Sequence, residues 1–89
     1  MVKITFSSSF KRAFKKKIKN RKDLEAKFWK AVKIFAEDPF DSNLKTHKLS
    51  GKLRDLWSFS IDYDLRVIFY FPEKNKSIFV SIGKHDEVY

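Results

Sequence analysis

The chain has 89 residues, enough for one domain around one core; its 43% hydrophobic and 35% charged content is that of a globular and not a disordered protein, and no apolar run is long enough to be expected to span a membrane. It has no cysteine, which excludes a disulfide framework and thiolate metal sites and fits a reducing compartment; with no signal-peptide pattern near its start, the expected location is cytoplasmic. The formal charge of +9 points to a polyanionic partner such as RNA, DNA or an acidic protein segment.

Val2, Ile4 and Phe6 alternate with Lys3 and Thr5 and predict a short strand. Ser7, Ser8 and Ser9 then offer N-cap hydroxyls to a helix whose Phe10, Ala13, Phe14 and Ile18 share one face. Lysines and arginines fill the rest of that helix. From Met1 to Lys22 there is no Asp or Glu, so Lys11, Arg12, Lys15, Lys16, Lys19 and Lys22 form a one-signed block suited to phosphates. A second helix is expected from about Asp23, with Leu24, Phe28, Ala31, Val32 and Phe35 on its stripe, ending before Pro39. The two would form an α-helical hairpin.

After a polar connection the period changes to two. Trp57, Phe59 and Ile61 form the apolar side of one expected strand, Leu65, Val67, Phe69 and Phe71 of the next, and Ile78, Val80 and Ile82 of the last. Turns near Asp62-Tyr63 and around Pro72–Lys76 would join them into an antiparallel meander. The helices would cover the apolar face, leaving Ser58, Ser60, Arg66, Ile68, Tyr70, Phe79 and Ser81 on a wetter face suited to binding. The fold class is therefore α+β, as a single domain over residues 1–89.

Few residues offer chemistry. His47 and His85 are the two histidines; imidazole exchanges protons near neutral pH, although a surface histidine is often idle. Arg66 interrupts an apolar strand, where a guanidinium needs water or a partner. It serves either as a salt-bridge partner of Asp62, Asp64 or another carboxylate, or as a phosphate clamp. Tyr89 is an aromatic able to stack on a base. No histidine spacing suits a metal and no glycine-rich loop suits a nucleotide, so no cofactor is expected.

The runs HKLSG (from His47), WSFSI (from Trp57), DLRVIFY (from Asp64) and IGKHDEVY (from Ile82), in this order, resemble the RelE/ParE superfamily of toxins. The nearest subgroup is the RelE/StbE and YafQ-like mRNA interferases of type II toxin–antitoxin systems. The resemblance implies metal-independent cleavage of mRNA on the ribosome by the substrate's own 2′-hydroxyl, and an acidic antitoxin as partner. It assigns His85 as general acid, His47 or Asp64 as base, Arg66 as the clamp on the transition state and Tyr89 as the stacking group. Ser60 stands where some YafQ-like members place a further histidine. The resemblance also admits a ParE-like toxin that binds DNA gyrase without cutting RNA.

Overall fold

The computed structural model describes residues 1–51 and 55–85. Its elements run β1 (Lys3–Phe6), α1 (Ser8–Lys17), α2 (Lys22–Glu37), a short 3-10 turn (Ser42–Leu44), β2 (His47–Lys48), β3 (Trp57–Ser60), β4 (Leu65–Glu73) and β5 (Lys76–Lys84). The strands form one mixed sheet in the order β1-β5-β4-β3-β2. The expected antiparallel meander is β3-β4-β5, and β1 adds to its outer edge parallel to β5.

The helices start and stop for local reasons. Ser7 caps α1, its hydroxyl accepting the Phe10 amide at 3.0 Å, which satisfies a donor with no intrahelical acceptor. Lys15, Lys16 and Lys17 sit in the last turn, where positive charge suits the helix dipole. α2 carries Asp23 and Glu25 in its first turn and gives way to extended backbone at Asp38, the residue before Pro39. An amide–carbonyl bond of 2.7 Å from Val2 to Ala36 ties the entrance of β1 to the end of α2.

One face of the sheet carries the core. Phe35 of α2 lies over three strands, its ring 5.1 Å from Phe59, 4.9 Å from Phe69 and 5.2 Å from Phe79. Phe10 and Phe28 continue the stack between the helices, 5.8 Å apart. Each buried phenylalanine contributes about 1.5–3 kcal/mol, so this aromatic layer contributes substantially to stability.

The last strand departs from the expected alternation. Its Phe79 is fully buried in the core, whereas Ile78 and Val80 are only partly covered. The cause is a bulge. Ile68 pairs with Ser81 but Phe69 pairs with Phe79, so Val80 is an extra residue and the side-chain order flips there. Ser9 donates its hydroxyl to the Val80 carbonyl at 2.7 Å, fixing the bulge against α1. A compensating shift follows between Tyr70 and Glu73, which places Pro72 inside irregular β4 rather than in the turn. The turn itself is Lys74-Asn75, with Asn75 at φ 66.

The opposite face is also drier than its composition suggests. Ser58 and Ile68, which face each other across β3 and β4, are buried rather than wet. The polar part of this face lies towards the end of the sheet where β3 turns into β4.

Candidate active site

Strand register assembles the site. Arg66 on β4 stands opposite Ser60 on β3 and Gly83 on β5, on the side away from the helices. Its guanidinium donates to the Ser60 hydroxyl. The Arg66 Nε is buried and finds no acceptor among the described residues. Of the two roles open to Arg66 in the sequence, the salt bridge is not formed: among the described residues no carboxylate pairs with it, and Asp62 is engaged by Lys27 at 3.2 Å. A buried donor without an acceptor is costly, and a guanidinium that no described carboxylate neutralises is suited to an anion in the groove it lines.

Asp64 and His85 meet across the mouth of the β4–β5 pair. The His85 amide lies 3.2 Å from the Asp64 carbonyl and 3.4 Å from its carboxylate. With Arg66 and Ser60 they line an open groove of about 400 Å³, whose other walls include Lys45, Asp62 and Tyr63. Lys45 reaches this position from a left-handed backbone conformation, φ 52, just after the 3-10 turn.

His47 is placed differently. It sits on β2 opposite Ser58, exposed and outside the groove wall, although on the same side of the sheet as Ser58 and Ser60. Its Nδ1 is 3.1 Å from the Lys45 carbonyl. A carbonyl only accepts, so Nδ1 carries the hydrogen and Nε2 is the basic nitrogen of the neutral ring. Tyr89 lies outside the described residues. The geometry therefore brings together Asp64, Arg66 and His85, with His47 one strand further out.

Asp62 is the group whose acidity the site alters. The Tyr63 amide bound to its carboxylate, and then the Lys27 ammonium, hold its pKa below the ordinary 3.8. This pair spans 35 residues and ties α2 to the turn between β3 and β4.

Lys45 and Tyr63 were not apparent from the sequence as site residues. Lys45 belongs to a polar connection, and Tyr63 to a turn with no periodicity to place it. The basic residues Lys11, Arg12, Lys15, Lys16, Lys19 and Lys22 are all exposed, on the helical layer, and none of them lines the groove. Among the described residues no three His, Cys, Asp or Glu side chains are grouped to hold a metal ion. None of the described helices is long and apolar enough to cross a membrane.

A family model described as the bacterial toxin of type II toxin–antitoxin systems, YafQ, matches residues 2–89. The chain belongs to the YafQ toxin family. A metal-bound toxin from Helicobacter pylori shares 30% identity over the full length of both chains, with a TM-score of 0.79. YafQ from Escherichia coli strain BL21(DE3) superposes with a TM-score of 0.80 at 18% identity, over 100% of this chain and 99% of that one. YafQ in the E. coli DinJ–YafQ complex matches with a TM-score of 0.74 at 20% identity and the same coverage. No curated protein matches the chain. The α+β, RelE-like fold expected from the sequence, with helices packed on one sheet face, is thus the fold of this YafQ-family toxin, its sheet extended to five strands by β2 and by the parallel β1.

Proposed function

We propose that this YafQ-family toxin is a metal-independent endoribonuclease that cuts mRNA on the ribosome. The observation that carries this reading is the Arg66 guanidinium, paired with no carboxylate among the described residues, lining an open groove with Asp64 and His85. A base, Asp64 or His47, takes the proton from a ribose 2′-hydroxyl. The 2′-oxygen then bonds to the adjacent phosphorus. His85 gives a proton to the departing 5′-oxygen, leaving a 2′,3′-cyclic phosphate and a 5′-hydroxyl. Arg66 neutralises the charge that builds on the phosphoryl oxygens in the transition state, where a positioned cation acts most strongly. Tyr89 stacks on a base of the substrate.

The exposed lysines and arginines of α1 and the start of α2 bind ribosomal RNA phosphates, largely without reading sequence. An acidic antitoxin is the expected partner: a chain of net charge +9 favours it, and the E. coli relative was solved as a DinJ–YafQ complex. The reaction takes place in the cytoplasm.

The test is mRNA cleavage on purified programmed ribosomes, mapped by primer extension, with His85→Ala and Arg66→Ala in parallel. Ribosome-dependent cuts that disappear in both variants support the nuclease. A folded, antitoxin-free wild type that makes no cuts would overturn it and favour gyrase binding, to be read by DNA supercoiling.

A further inference from the structure

The turn between β3 and β4 carries a side chain that the acid–base chemistry leaves unused. Tyr63 is 94% exposed, against 55% for Phe40 and 48% for Trp29. Those two rings pack against other rings, Phe40 on Trp57 and Trp29 on Phe28. Tyr63 belongs to no ring pair among the described residues. A single exposed aromatic is common on protein surfaces, so exposure alone decides nothing. Two further observations do.

The first is that the turn bearing Tyr63 is held from several sides. The Tyr63 amide donates to the Asp62 carboxylate at 2.8 Å. The same carboxylate receives the Lys27 ammonium of α2 at 3.2 Å, and the Ile61 amide donates to the Leu65 carbonyl at 2.8 Å. An anchored backbone keeps the ring near one place and reduces the entropy lost on contact with a ligand. The second is location. Tyr63 lines the same groove as Arg66 and Lys45, so an aromatic residue shares that groove with two cations. A positive groove with an adjacent exposed aromatic is the chemistry by which single-stranded RNA is held, backbone on the cations and base on the ring.

We infer that Tyr63 is a stacking platform for one nucleobase of a single-stranded RNA whose phosphate occupies the Arg66 groove. This rests on the reading that the groove takes RNA. The ring and not the hydroxyl performs the role, and Lys27 and Asp62 act through it as positioning residues.

The experiment measures a short fluorescein-labelled single-stranded oligoribonucleotide by anisotropy, and ribosomal mRNA cleavage with kcat and KM separated. Tyr63→Ala should raise Kd and KM by roughly 5- to 150-fold, with kcat within about 2-fold of wild type. Tyr63→Phe and Tyr63→Trp should match wild type. An abasic nucleotide at the stacked position should weaken wild type but not weaken Tyr63→Ala further. Unaltered binding by a folded Tyr63→Ala would overturn the inference, and so would a Tyr63→Phe variant as impaired as Tyr63→Ala. Tyr63-dependent binding without cleavage would leave the platform standing and remove the nuclease; ribosomal cleavage with a KM that Tyr63→Ala does not change would remove the platform and leave the nuclease.

Discussion

Arg66 donates to Ser60 directly across the β3–β4 pair while its Nε has no acceptor among the described residues. The hydroxyl holds one terminal nitrogen of the guanidinium, and no carboxylate among the described residues neutralises its charge. Under the proposed chemistry, Arg66→Ala should lower kcat by about 100- to 1,000-fold. Arg66→Lys should recover little, because an ammonium has no planar fork. Ser60→Ala should cost about 10-fold in kcat with KM unchanged, from the loss of one orienting bond. Single-turnover cleavage on ribosomes measures all three. A Ser60→Ala enzyme as fast as wild type would show that the hydroxyl does not position the arginine.

The bulge at Val80 makes a stability prediction independent of function. Phe79→Ala should destabilise the fold by about 3–5 kcal/mol, since it empties the centre of the aromatic layer. Val80→Ala should cost less than about 1.5 kcal/mol, because that side chain is only partly covered. Urea denaturation of the two variants compares them directly. The reverse order would mean that β5 pairs without the bulge.

Charge reversal of Lys15, Lys16 and Lys19 to Glu should weaken ribosome binding without moving the groove residues. If each contacts a phosphate, the slope of log affinity against log salt should flatten by on the order of 2–3 units. Binding measured across a salt series reads this out. An equal loss of affinity at every salt concentration would contradict a phosphate contact.

The Asp62 anchor predicts a pH dependence with a definite sign. Its carboxyl is held below 3.8 in the folded chain, so the charged form is favoured by folding. The stabilisation is complete above the unfolded value and is lost as pH falls through the folded one. Thermal melts of wild type and Asp62→Asn should therefore differ most at neutral pH and converge in acid. A gap that widened in acid would show that the Lys27 and Tyr63 contacts do not act on the carboxylate.

Much of the fold was legible in the residues, and the reasons are physical. The serine cap, the Phe10/Ile18 and Phe28/Phe35 stripes and the alternation of Leu65, Val67 and Phe69 each arise from local periodicity, which sequence displays directly. Phe79 was misplaced because Ile78, Phe79 and Val80 are all apolar, so no contrast between faces revealed where the order flips. The two-residue β2 is too short for any period. Arg66 stood out because a cation in an apolar strand violates its surroundings, and its partner follows only from register. Asp64 and His85 could be named from the resemblance, but their approach across β4 and β5 is a pairing that no single segment encodes. The Lys27–Asp62 pair joins residues from different halves of the chain, and the significance of Tyr63 depends on that pair.

The parallel pairing of β1 with β5 bears on how the chain is made. Among the described residues β1 pairs with β5 and no other strand, and Ser9 reaches Val80 across the same junction. Such contacts between distant parts of a chain require a large loop to close before they return any stability. The sheet therefore cannot be completed during early synthesis. A nascent chain lacking β5 has neither the neighbour of β1 nor the antiparallel partner on one side of β4, and the groove has no His85. Assembly of fold and site waits for the emergence of β5.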